Sequence, residues 1–181
     1  MSKTSAVAAK ALTSNHFALF GLAPAFSLDL ARLDAAYRDI QSQVHPDRYA
    51  HAGDAERRAS MQMTTLVNEA YRTLKSPVRR AKYLLELNGV DVGFETNTAM
   101  PEDFLVEQME LREKLEEARD AAALDFISTD LLLMKRNLER EIENQIDKQA
   151  NPAGAADAVR KLMFLERFGE EIDSAYEALD G

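Results

Sequence analysis

The sequence predicts an all-α protein of two helical domains, on three observations. Apolar residues recur at steps of three and four along nearly every long stretch, the period of one face of a helix. Glycine and proline are sparse, 7 and 5 in 181 residues, and they punctuate those periodic stretches as helix stops do. The strong helix formers Ala, Leu, Glu, Lys and Arg fill the stretches between. A chain of this length makes one medium domain or two small ones, each with a core of its own.

Each element follows from a local signal. "MSKTSAVAAKALTSN" is rich in Ser, Thr and Ala, and no acid precedes Asp29. Lys10 interrupts its apolar piece, which argues against a secretory signal, and residues 1–14 read as a disordered leader. "HFALFGL" gives one or two helical turns, stopped by Gly21 and Pro24. The next helix starts at Ser27 or Asp29, both good N-caps, and carries Leu30, Leu33, Tyr37, Ile40 and Val44 on one face until Pro46 ends it. A helix from about Asp54 to Lys75 follows, with Met63, Val67, Ala70 and Leu74 as its face. Ser76-Pro77 is an N-cap with proline at the first helical position. That helix turns Ala81, Leu84 and Leu85 inward and stops before Gly89, a C′ residue.

"GVDVGFETNTAM" has no period, and the linker is set at 91–100, between domains at 15–90 and 101–181. Three long helices come after it, from about Pro101 to Ala121, Ala122 to Gln149 and Pro152 to Leu179. Their core stripes are Phe104, Leu111, Leu115 and Ala118; Ile127, Leu131, Met134, Leu138 and Ile142; and Leu165, Ile172 and Leu179. Asn151-Pro152 breaks the last two apart. Short connections make an antiparallel three-helix bundle the simplest packing.

Composition closes off several function classes. With no cysteine there is no disulfide, thiolate metal site or thiol catalysis. A formal net charge of −9 opposes general binding to nucleic acid or anionic membrane, which reward clustered Lys and Arg. No apolar run approaches the ~20 residues that span a bilayer.

The chemistry-bearing stretch is "QVHPDRYAH", residues 43–51. A metal site from His45, Asp47 and His51 lacks the spacing of the usual two-histidine helix motifs. Acid–base chemistry by His45 and Asp47 lacks a nucleophile, a phosphate loop or a second carboxylate pair. A plain helix-ending turn, with Pro46 as breaker and Asp47 as cap, accounts for the tripeptide alone.

Its neighbours point elsewhere. Tyr37, Arg38, Asp39 and Ile40 precede His45-Pro46-Asp47-Arg48, and "LVNEAYRTLKSPVRRAKYL" follows from Leu66 to Leu84. Residues 15–90 thus resemble a J domain: Asn68, Glu69, Ala70, Tyr71, Leu74, Ser76, Pro77, Arg80 and Tyr83 stand in the family's positions. "YLLELNGVDV", "FLVEQMELREKLEEARD" and "VRKLMFLERF" extend the resemblance to the HscB family, in which a J-domain helical hairpin is joined to a C-terminal antiparallel three-helix bundle. The leader reads as that of a cytoplasmic protein, and the net charge of −9 leaves nucleic acid and membrane out of the expected partners. The resemblance implies a non-enzymatic co-chaperone without a cofactor. It would bind an IscU-like iron–sulfur cluster scaffold, deliver it to an HscA-like DnaK-type chaperone and stimulate that chaperone's ATPase. A J-domain adaptor serving a different client is the alternative.

His45, Pro46 and Asp47 are then the chaperone-binding residues, with Arg32, Arg38 and Arg48 steering toward an acidic partner. Pro46 makes the turn rigid, so little entropy remains to be lost on docking. Asp39, Ser42 and Gln43 stand where J domains usually carry Lys or Arg, which implies a dedicated chaperone. At about 100° per residue, Leu105, Val106 and Met109 fall off the core stripe of their helix, beside Glu110, Glu113 and Glu117. An apolar patch edged by acids suggests a binding surface, and the resemblance makes it the client face. Met163 and Phe164 join it as weaker candidates. Leu132 and Leu133 also lie off their core face, with no role assigned.

Overall fold

The computed structural model describes residues 15–49, 52–92 and 100–180. The chain divides into two compact units, Met1–Arg80 and Ala81–Gly181. The described residues form seven α-helices: α1 (His16–Leu19), α2 (Leu30–Val44), α3 (Asp54–Lys75), α4 (Pro77–Leu87), α5 (Glu102–Glu117), α6 (Ala121–Glu143) and α7 (Ala156–Asp180). None of them contributes a strand, in keeping with the all-α expectation. The division falls inside α4, ahead of the stretch 91–100 read as linker, of which 93–99 lie outside the described residues, as does the leader 1–14.

In the first unit α1 is a single turn capped by the Asn15 side chain, which accepts from the Ala18 N–H at 2.9 Å. Gly21, at φ +65°, ends it in a conformation that costs glycine least. Asp29, not Ser27, caps α2 by accepting from the Arg32 N–H at 3.0 Å. Of the five-residue face read along α2, Leu33 and Val44 are buried, whereas Leu30 remains 42% exposed.

α2 and α3 run antiparallel, as their cross-links require. The Tyr37 hydroxyl donates to Asn68 Oδ1 and the Tyr71 hydroxyl to Asp34 Oδ1, both at 2.9 Å. The two tyrosine rings stack at 4.0 Å. Lys75 Nζ closes the network on Asp34 at 3.0 Å. Hydrogen bonds from Lys75 and then Tyr71 hold the Asp34 carboxyl below its ordinary range. So Asn68 and Tyr71 of the "NEAY" motif pin the hairpin together. Arg80 is buried at the end of the same motif run. It donates to the Leu74 carbonyl at 2.5 Å and lies 5.1 Å over the Phe26 ring.

The second unit is built on a core of Phe104, Leu111, Ile127, Leu131, Leu165, Phe168 and Ile172, with Leu115, Ala118, Met134 and Leu138 packed against it. Three boundaries differ from the sequence reading, the first being that α7 begins at Ala156, after a 3₁₀ turn over Pro152–Ala155. α5 stops at Glu117 because Asp120 starts the next helix, accepting from the Ala123 N–H at 2.9 Å. α6 ends at Glu143 and widens into a π turn over Asn144–Lys148, a form that usually appears as a single turn. On α7, Leu165 and Ile172 are buried but Leu179 is 46% exposed, so the stripe leaves the core in the last turn. No helix among the described residues is long and apolar enough to cross a membrane.

Candidate functional site

The end of α2 must dispose of its last carbonyls, which have no partner inside the helix. Pro46 makes this harder, since it has no N–H to offer. The chain solves it with side chains from beyond the turn. Arg48 Nη1 donates to the Ser42 carbonyl at 2.9 Å, and the Tyr49 hydroxyl donates to the Gln43 carbonyl at 3.1 Å. The Val44 carbonyl accepts from Ser60 Oγ at 2.6 Å and from Thr64 Oγ1 at 3.2 Å, both on α3. The His45 carbonyl accepts from the Arg48 N–H at 3.1 Å. Ser60 is fully buried, one of two buried polar residues among those described.

His45 itself sits at φ −57°, ψ 130°, the extended geometry imposed on a residue before proline. Pro46–Tyr49 then form one 3₁₀ turn. His45 Nδ1 accepts from the Asp47 N–H at 3.3 Å and lies 3.5 Å from Asp47 Oδ2, while the Asp47 side chain is 90% exposed. The result is a knitted turn that presents an imidazole and a carboxylate to solvent. A carboxylate so exposed can take a bidentate guanidinium from outside the molecule.

The three arginines divide. Arg48 is drawn inward as a cap of the helix end. Arg38 is exposed and lies two turns, about 10 Å by helix rise, before the loop. Arg32 sits about 20 Å from His45 by the same measure and donates to the Gly21 carbonyl at 3.3 Å, so the structure does not bring it to the turn. His51, weighed as a metal ligand, lies outside the described residues.

In the second unit α5 buries Phe104 and Leu111 and exposes Val106 and Met109, the latter to 72%. Leu105 is half-buried, and Glu110, Glu113 and Glu117 are exposed on the outer side. Glu110 also borders a groove toward α6 with Glu107, Lys114, Asp130 and Leu133. Met163 and Phe164 are half-buried. The Phe164 ring meets Phe104 edge-on at 5.6 Å and stacks on Phe168 at 6.1 Å, with the Arg112 guanidinium 5.7 Å above it. Phe164 thus joins core and surface, while Val106 and Met109 serve no packing of their own.

Sequence reasoning passed over Ser60, Thr64 and Tyr49. Two hydroxyls four residues apart on the apolar face of α3 were the available signal, because a buried hydroxyl needs a partner. It also passed over Phe126, 63% exposed on α6.

Comparison with known proteins fits this layout. The family model described as the HSCB C-terminal oligomerisation domain matches residues 100–173. The Co-chaperone protein HscB homolog of Aromatoleum aromaticum is 51% identical over 172 residues, covering 93% of this chain and 97% of that one. Chaperone HscB from Vibrio cholerae superposes with a TM-score of 0.80 at 37% identity, over 92% of this chain and 99% of its own. Human co-chaperone HscB gives a TM-score of 0.85 at 30% identity, over 89% and 81%. The chain belongs to the HscB family, the J-type co-chaperones of iron–sulfur cluster biogenesis.

Proposed function

We propose that this protein carries an IscU-like iron–sulfur scaffold to an HscA-like DnaK-type chaperone in the cytoplasm and stimulates that chaperone's ATPase, doing no chemistry itself. In this reading residues 15–90 act as the J domain and 101–181 as the client-binding bundle. The observation that carries it is the knitted turn, with its exposed His45 and Asp47, in a chain whose other unit leaves Val106 and Met109 uncovered beside three glutamates. His45, Pro46 and Asp47 engage the chaperone, with Arg38 and, through the turn it caps, Arg48 in support. Leu105, Val106, Met109 and the glutamates take the scaffold, with Phe164 and Met163 at the edge. Bringing client and chaperone onto one molecule raises the effective concentration of each for the other. The description of the matched family names oligomerisation, and self-association of the second unit is part of this reading.

The test is the chaperone's ATPase rate with this protein, with the scaffold, and with both. Stimulation well beyond the sum of the separate effects is expected. Merely additive rates would remove the adaptor role.

A further inference from the structure

α6 turns Leu124, Ile127, Leu131 and Ile142 into the core, yet Phe126, Leu132 and Leu133 on its other side are 63%, 48% and 52% exposed. Leu132 leans over the groove to α7, beside Lys135, Glu166 and Gly169. Leu133 leans over the groove to α5. Together they form the crest of a ridge that holds none of the apolar residues of the α5 face.

The charges on this ridge have an order. N-terminal to the leucine pair the ridge carries Asp125, and C-terminal to it Arg136 and Arg140, all exposed. Counted from the peptide bond between Leu132 and Leu133, Asp125 and Arg140 stand at equal distances on opposite sides, as do Thr129 and Arg136. At about 100° per residue these six residues fall within about 50° of one line along the helix. Asp130 and Lys135 repeat the pattern on the flanks, although Lys135 is already paired with Glu166 at 2.7 Å. Neighbouring groups hold the outer pair in place: Asp125 Oδ1 accepts from the Tyr176 hydroxyl at 2.5 Å, and Arg140 Nη2 donates to Asn137 Oδ1 at 3.0 Å.

A helix ordered acid, apolar, base is complementary to itself when reversed. We infer that the α6 ridge is the surface on which a second copy of this chain docks, antiparallel, about a two-fold axis that lies between the copies, level with the Leu132–Leu133 bond. That axis sets Asp125 of each copy against Arg140 of the other and the leucines against one another, as an isologous interface requires. The inference deepens the self-association included in the function proposed above by assigning its surface. One helix ridge per copy is a small interface, and the net charge of −9 opposes association, so the dimer is weak and concentration-dependent. Salt that screens the overall repulsion also screens the two cross-axis pairs, so charge reversal, not ionic strength, is the decisive probe.

The experiment is analytical ultracentrifugation of the full chain from on the order of 10 µM to 1 mM, a range suited to weak complexes. Wild type should pass from monomer toward dimer. Asp125→Arg and Arg140→Asp should each weaken association at least tenfold with helical content unchanged. An equimolar mixture of the two variants should restore it, because every replaced side chain then meets its opposite. A dimer indifferent to both substitutions would overturn the α6 assignment while leaving self-association standing. A monomer at every concentration would overturn both. Scaffold binding lost in these variants, with dimerisation intact, would give the ridge to the client instead and equally overturn the inference.

Discussion

The two sites proposed here present themselves in opposite ways. The J-domain turn is backbone held by polar side chains: Arg48, Tyr49, Ser60 and Thr64 together cap three successive carbonyls at the end of α2. The bundle face is apolar side chain carried on a regular helix, with Val106 and Met109 uncovered above a core that does not need them. The first costs two hydroxyls placed from a second helix, because the buried Val44 carbonyl must have a partner. The second costs exposed apolar surface, which is tolerated where something covers it. The comparison teaches where each site is vulnerable: the turn to changes distant in sequence, the face only to changes in the face.

The sharpest separation comes from His45→Gln. Stimulation of the chaperone ATPase should vanish, while melting temperature and scaffold binding stay as they are, since the His45 side chain is about half exposed and its hydrogen bond is with Asp47 of its own turn. A well-folded variant that still stimulates would dissolve the comparison at its first term.

Next in size is the triple change of Leu105, Val106 and Met109 to Ala. Burial of such side chains at an interface contributes about 1.5–3 kcal/mol each before ordering costs. Scaffold binding should therefore weaken tenfold or more, about 1.4 kcal/mol. Basal ATPase stimulation should survive. Alanine keeps the helix, so circular dichroism and melting should change little. A fall of several kcal/mol in stability with binding intact would make these core residues.

Ser60→Ala probes the claim that the turn depends on α3. The Val44 carbonyl would lose its 2.6 Å partner and keep the longer bond from Thr64. The expected cost is about 1–3 kcal/mol by denaturant melting, with a reduced maximal ATPase stimulation and unchanged scaffold affinity. Full stimulation at reduced stability would show the cap to be structural only.

The smallest effect concerns pH. Burial holds the His16 imidazole below its ordinary value of 6.5, against an opposing pull from Glu69. Below that value the unfolded chain binds the proton more readily than the folded one, so stability is lost as pH falls from 6.5 toward the folded value. Melting followed from pH 7.5 to 5 should decline less steeply in His16→Gln than in wild type. Equal slopes would leave the acid sensitivity to other groups.

Much of this was legible in the residues themselves. Asp54–Lys75 as a helix, Ser76-Pro77 as a helix start and Gly89 as a helix end all agree with the structure, because caps and periodicity are local chemistry. Other features were not legible. Asp120 was one acid among many until its carboxylate was seen on the Ala123 N–H. Leu179 continued a heptad that the core no longer reached. Arg32 and Arg48 looked alike as steering charges, yet one sits more than three turns from the loop and the other folds back to cap the helix that precedes it.

By itself, then, the sequence determined the helices, their apolar faces and the identity of the exposed loop, since each depends on neighbours within a turn or two along the chain. The tertiary structure alone decided who satisfies the Val44 carbonyl, that Phe164 rests on Phe104, and which apolar side chains stay uncovered. Those are contacts between residues 16 to 60 positions apart, and no local pattern encodes a partner at that distance. Only closing the chain on itself brings such groups within the few ångströms over which hydrogen bonds and packing act.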